Sequence, residues 1–381
     1  MTTEYDDIRP YNDEEAAAAL RRVAQHPVCA QISRYLFPEL PESALGSILS
    51  GVTGVDDFQH KVMDQAVHRI VDTTTTAFTY AGTETLKNPE HAGCHLFLSD
   101  HRDIVLDPAI TQIVLVECGL PTTEICVGDN LLSDPLVEDL IRSNRMVKVR
   151  RGISGRELYD ALQKLSRYIR ESVTTGRSSV WLAQRQGRTK DGRDFTEEAL
   201  IKMLGMSAAE GEDFAATYKA LRIVPLSISY ELDSCDILKA REVLIKETGV
   251  PYVKKPGEDL HSIITGIRQP KGRVHLQFCE PLTDAEIDAC AAAPRPQRHK
   301  MLCQLLDERI LGGYRLWDTN YIAWDLLHPG AERFADRYSP ESKAKFLAYT
   351  EHQLATVEPE LDRTALRERF LGIYANPVRH D

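Results

Sequence analysis

Apolar residues recur along this chain with two different periods, and the change from one to the other divides it. From residue 1 to about 88 they fall three and four apart. EEAAAALRRVAQ is a strong helix former, Pro38 and Pro41 interrupt, and FQHKVMDQAVHRIVDTTTTAF resumes the same spacing, which predicts a helical region over 1–88. From Cys94 the period shortens. CHLFLS, EICVGD, MVKVRR, SVWLAQ, RIVPLSISY and RVHLQF are short β-rich runs separated by helical patterns, the alternation of an α/β domain, here over 89–282. In its cleanest unit MVKVRR leads to a helix opened by Ser154 and Glu157 as a capping box. Leu158, Ala161, Leu162, Leu165, Ile169 and Val173 form its stripe, Gly176 closes it, and SSVWLA is the next, parallel strand. After Leu282 the strands stop, Pro294 and Pro296 mark a connection, and a helical region follows over 283–381, with Ser339, Pro340 and Glu341 as N-cap, N1 proline and first-turn acid. The expected architecture is α/β: a mixed, mostly parallel sheet flanked by helices, with helical N- and C-terminal additions.

The chain has 381 residues, 43% hydrophobic and 27% charged, which excludes a disordered, collagen-like or disulfide-dense protein. No run approaches the roughly 18 apolar residues of a spanning helix, and MTTEYDDIRPYNDEE is too acidic for a secretory signal, so a cytoplasmic location is expected. The eight cysteines form no C-x-x-C pair and read as buried thiols in a reducing compartment. Net charge is −11, yet between Ile141 and Arg193 fourteen Lys and Arg stand against four acids. This block points to a local anionic partner: a phosphorylated substrate, a nucleotide-bearing cosubstrate or an anionic membrane surface. Residues 156–177 read equally as a solvated helix face. No nucleic-acid partner is expected of so acidic a chain.

The most unusual segment is LFLSDHRDIVLDPAI, a buried-type strand ending in Asp100, His101, Arg102, Asp103 and Asp107 before an apolar helix. Ligands of open α/β sheets bind at carboxyl strand edges, and a His with a nearby carboxylate is what a general base needs. The partner of His101 is either Asp107 or Asp103, since Asp107 and Pro108 also make a good N-cap and N1 pair. HRD opens a kinase catalytic loop too, but the rest of that signature is missing. His91, Cys94, His95 and His101 do not suit a zinc site, because Cys94 and His95 alternate across a strand, so no metal is expected. In WLAQRQGRTKDGRDF, Gly187 and Gly192 lie among Arg185, Arg188, Lys190 and Arg193, a setting for an anion or an ordinary basic turn. Arg150 and Arg151 follow another strand and fall at the same edge. RYLFPEL, with Arg34, Tyr35, Leu36 and Phe37, reads as a helix end packed on the core or as a membrane contact.

Four blocks together resemble the glycerolipid acyltransferase family, which transfers a fatty acyl group from acyl-CoA or acyl carrier protein to glycerol 3-phosphate or a lysophospholipid. SDHRDIVLD resembles its Asn-His-x4-Asp block, VGDNLLSDPLVEDLIRSNRMVKVRR its acceptor-binding block, AQRQGRTKDG its Pro-Glu-Gly-Thr-Arg-Ser block and IVPLSISYE its apolar block around Pro225. Here five residues separate His101 from Asp107 where the family has four, Gln186 replaces a Glu, and Asp100 replaces an Asn. The resemblance implies that His101 and Asp107 are catalytic, acting without an acyl-enzyme, and that Arg150, Arg151, Gly187, Arg188 and Lys190 hold phosphate groups. It implies no separate cofactor, an acyl thioester as cosubstrate, and peripheral docking at the inner face of the cytoplasmic membrane. Acylation of a phosphate-free acceptor and a lipid- or phosphate-binding protein without catalysis are the alternatives.

Overall fold

All six apolar runs that follow Cys94 become strands, and a seventh precedes them. In the computed structural model, which describes residues 4–132, 134–249, 252–255 and 257–378, these are β1 (Thr75–Ala81), β2 (Leu96–Ser99), β3 (Glu124–Gly128), β4 (Met146–Val149), β5 (Val180–Ala183), β6 (Ile223–Tyr230) and β7 (Gly272–Phe278). They form one sheet in the order β1-β7-β6-β2-β5-β3-β4. Every pairing is parallel except β6 with β7, so the sheet is mixed and mostly parallel, covered by helices. β2 and β6 are buried at every position, as strands covered on both faces must be.

One stretch departs from expectation. The end of the first helical region, Thr75–Ala81, is the edge strand β1, paired in parallel with β7. Its threonines, Phe78 and Tyr80 favour a pleated surface over a helix, and the hydroxyls of Thr73 and Thr74 bond back to the carbonyls of Arg69 and Ile70 at 2.7 Å as the preceding helix ends.

The unit after β4 keeps the predicted helix, Gly155–Thr174, which buries Leu165, Tyr168, Ile169 and Val173, with Gly176 at φ 73° beyond its end. Ser154 is the N-cap but its side chain makes no capping bond. Glu157 turns instead to Arg150 at 2.9 Å, so the expected capping box does not form. Leu96, Leu98 and Leu182 face one layer of helices; Phe97, Trp181 and Val224 face the other, with the helix Leu106–Glu117. The C-terminal helices share a core with the helix Asp236–Glu247 through Ile237, Phe370 and Tyr374. Among the described residues no helix is long and apolar enough to cross a membrane. All eight cysteines are free thiols.

Candidate active site

β2 ends between β5 and β6, and the chain then crosses the carboxyl edge of the sheet as Asp100–Asp103 before entering the helix Leu106–Glu117. The carboxylate of Asp107 gathers this crossing. Its Oδ2 accepts from His101 Nδ1 at 2.9 Å and from the backbone N–H groups of Arg102 at 2.6 Å and Asp103 at 2.9 Å. Its Oδ1 accepts from the Tyr230 hydroxyl at 2.7 Å. In the neutral imidazole, a carboxylate that accepts at both oxygens selects the tautomer with the proton on Nδ1, in which Nε2 is an acceptor. The ring is held edge-on to Trp181, centroids 5.8 Å apart.

The spacing question thus has a structural answer. Asp107 was also a candidate N-cap, but Asp103 does that work: its Oδ1 accepts from Val105 N and Leu106 N, both at 2.8 Å, and its Oδ2 accepts from Ser234 Oγ. Burial opposes ionisation of Asp103, yet these bonds and nearby Lys271 hold its carboxyl below the usual range. Asp107 lies inside the first turn of the helix rather than before it, free to pair with His101 across five intervening residues.

Asp100 is wholly buried, and burial together with Asp194 drives its carboxyl well up; its Oδ1 accepts from Ile228 N at 2.8 Å. Arg102 points away from His101 into the interior. It pairs with Asp233 at 3.0 Å and with Asp194, and Lys239 donates to its carbonyl oxygen at 2.8 Å and to Asp233. Buried charges of this kind persist only when matched. They clamp the crossing from below, because Tyr374 OH, on the last helix, accepts from Asp233 N at 3.1 Å.

His101 opens onto a cavity of about 1170 Å³ between β3, β4, β5 and the helices Gly155–Thr174 and Glu198–Leu204. One part of its wall is apolar: Cys126, Met146, Leu158, Leu162, Leu200 and Met203. Another is basic, with Arg150, Arg151, Arg185, Arg188, Lys190 and Arg193. The predicted site residues therefore meet at one cavity, Gly187 included, with Asp107 buried behind His101, but they differ in availability. Arg150 is paired with Glu157 and Asp129, and Lys190 with Glu242. Arg151 makes no ion pair among the described residues, and burial lowers its guanidinium's affinity for a proton. Arg188 has a buried Nη1 without a hydrogen-bond partner. An unmatched buried guanidinium N–H is costly, and an anion in the cavity would satisfy it.

The basic block is not one surface. Arg145, Lys164, Arg167 and Arg170 pair with Asp56, Asp7, Glu4 and Glu212, far along the sequence, and only the groups after β4 and β5 reach the cavity. The loop after β5 is fixed at both ends. Thr189 N donates to the His101 carbonyl at 2.8 Å. At Gly192, φ is +80° and a Cβ would lie 2.2 Å from the Ile373 carbonyl oxygen, so only glycine lets the last helix close on the turn. Sequence reasoning missed Tyr230, Glu197, Lys246 and Lys254. Tyr230 reaches Asp107 only because β6 runs on beyond the end of β2, a tertiary fact with no local signal. Glu197 lies in the cavity wall and accepts from Gln186 N at 3.1 Å, so a carboxylate stands beside the position where a Glu was expected.

No family model matches the chain. Over 188 residues, 49% of its length, it is 26% identical to proteins named glycerol-3-phosphate acyltransferase from Pseudomonas paraeruginosa (strain DSM 24068 / PA7), Pseudomonas aeruginosa (strain UCBPP-PA14) and Pseudomonas putida (strain W619). The matched segment is 21% of the length of each relative, so the chain spans about a fifth of the curated relatives it matches. This distant similarity supports an acyltransferase family.

Proposed function

We propose that the protein transfers a fatty acyl group from a thioester, acyl-CoA or acyl carrier protein, to the hydroxyl of glycerol 3-phosphate or a lysophospholipid. The observation that carries this reading is the His101–Asp107 pair at the edge of a cavity with an apolar wall and a buried guanidinium nitrogen, Arg188 Nη1, that has no hydrogen-bond partner. The relatives' name agrees with it. His101 Nε2 takes the proton of the acceptor hydroxyl, and the oxygen attacks the thioester carbonyl carbon. The tetrahedral oxyanion then collapses, the C–S bond breaks, and the imidazolium returns the proton to the leaving thiolate. Asp107 stabilises the imidazolium while it exists. Arg151 and Arg188 hold the phosphate of the acceptor or donor, and the leucines of the helix Gly155–Thr174 take the acyl chain. At about 1170 Å³ the cavity exceeds the ~300–1,000 Å³ of ordinary small-molecule sites, as two substrates require. The amphiphilic product places the reaction at a bilayer surface.

The test is release of free thiol from palmitoyl-CoA, then from an acylated carrier protein, with glycerol 3-phosphate, lysophosphatidate and a phosphate-free lysolipid supplied in turn. Acceptor-dependent release that is lost in His101→Gln supports the proposal. Full turnover in that variant, or silence with every pair, refutes it.

A further inference from the structure

The helix Glu258–Arg268 is apolar on two sides: Ile267 packs inward on the core, and further aliphatic residues face out. Its buried positions are small, Ser262 and Gly266, and a Cβ on Gly266 would come within 2.7 Å of Asp103 Oδ2, so the helix lies directly on the crossing that holds His101. Its outward positions include Leu260 and Ile264, 58% and 40% exposed and one turn apart. An aliphatic pair on the outer face gains nothing from folding, which asks what it meets.

The two ends of the helix answer. At its start Asp259 lines the main cavity with Lys254, its ion-pair partner, and Lys246, which pairs with Glu242. At its end, about 16 Å away for 11 residues, Arg268 lies over the Tyr35 ring at 5.2 Å. There, with Arg34 and Arg69, it lines a second cavity of about 400 Å³. Glu42 and Glu39, both largely exposed, answer Arg34 and Arg69 at 3.4 and 3.1 Å, while Arg268 makes no ion pair among the described residues. Phe37 is buried and Leu36 packs on the N-terminal core, so RYLFPEL contributes Arg34 and Tyr35 to this surface rather than an aromatic wedge.

We propose that this face, the outward stripe of the helix Glu258–Arg268 with the three-arginine cradle at its end, seats the protein on an anionic lipid bilayer, the cradle taking a lipid phosphate. An apolar strip ending in three arginines, of which Arg34 and Arg69 are answered by exposed glutamates and Arg268 makes no ion pair among the described residues, matches a layer of negative headgroups over hydrocarbon. It also sets the cavity mouth against the surface from which an amphiphilic acceptor would come. The inference deepens the proposed function by naming how its site meets lipid, but it is tested without catalysis.

Flotation of the full chain with vesicles of phosphatidylcholine, with and without phosphatidylglycerol, should show binding that requires the anionic lipid and weakens with salt. Leu260→Ser with Ile264→Ser, and separately Arg34→Gln with Arg268→Gln, should each weaken it by at least about tenfold. Transfer from a short, water-soluble acyl-CoA to glycerol 3-phosphate should stay at the wild-type rate in both pairs. Absence of vesicle binding in the wild type, or variants that float like it, overturns the docking face whatever the soluble assay gives. If vesicles are ignored while both pairs raise the KM for acyl carrier protein, the face docks an acidic protein and the bilayer is excluded. Silence of the soluble assay in a wild type that floats refutes the proposed reaction and leaves the docking face standing.

Discussion

Replacing Asp107 with Asn separates charge from geometry at the His101 pair. The side-chain amide has one oxygen and one NH2, and the structure dictates which goes where. Two backbone N–H groups, from Arg102 and Asp103, point at the Oδ2 position, so the oxygen must stay there. The NH2 then faces Tyr230, whose hydroxyl can turn to accept it. His101 Nδ1–H keeps an acceptor in the same place, so tautomer and orientation survive. What disappears is the negative charge opposite the imidazolium. At an effective dielectric constant of about 20 and about 4 Å between charge centres, that attraction is about 4 kcal/mol, or roughly a thousandfold in rate. The expected outcome is a kcat lower by about 10³ in the thiol-release assay. The acceptor KM should change little, because neither Arg151 nor Arg188 is touched, and unfolding in urea should shift by no more than about 2 kcal/mol as charge-assisted bonds become neutral ones. The double variant His101→Gln with Asp107→Asn should be no slower than His101→Gln alone, since the carboxylate acts through the ring. A single Asp107→Asn variant that keeps more than about a tenth of the wild-type kcat would refute the reasoning.

Three further outcomes follow from particular contacts. Arg188→Gln should raise the KM for a phosphate-bearing acceptor by about ten- to a hundredfold through loss of a charged hydrogen bond, with little change for a phosphate-free lysolipid, read from initial rates at fixed salt. Gly192→Ala should cost more than about 2 kcal/mol in urea unfolding, because the positive φ and the Ile373 carbonyl 2.2 Å from the new Cβ both oppose it. Burial, partly offset by Tyr374 and Tyr349, pushes the carboxyl of Asp236 up to about 6. The folded state therefore binds a proton more tightly than the unfolded chain, and this group's contribution to stability falls as pH rises from about 4 to 6. Asp236→Asn should gain on the wild type over that window, by up to about 3 kcal/mol at neutral pH, measured as the difference between urea midpoints across pH.

How much of this was legible in the sequence depended on range. RIVPLSISY is rich in β-branched residues and CHLFLS is a short, apolar, cleanly bounded run, as buried strands are, and Ser339 caps its helix by accepting from Ser342 N at 3.0 Å, as its place before Pro340 predicts. β1 was hidden because its apolar spacing continues that of the preceding helix; only its threonines and two aromatic residues opposed it. At the site, the convergence of His101, Arg150, Arg151 and Arg188 follows from their places at carboxyl strand ends. Asp107 was ambiguous for a physical reason: a carboxylate near a helix start serves equally as a cap or as a ring partner. The choice was made by Asp103, which fills the capping role, and by Tyr230, which comes from a strand more than a hundred residues away.

The C-terminal helices complete the same argument. Read alone, they are a generic apolar bundle, yet they close on the site through polar contacts that periodicity cannot show. Asn376 Nδ2 donates to the Asp191 carbonyl at 2.6 Å and the helix backbone covers Gly192, which fixes the loop whose Thr189 holds the His101 carbonyl. Tyr374, bonded to Asp236 and to Asp233 N, steadies the acid that balances Arg102 and Lys239. Two buried cations beneath the His101 crossing would be intolerable without that framework. The last helix is thus part of what orients the imidazole, even though no residue of it lines the cavity.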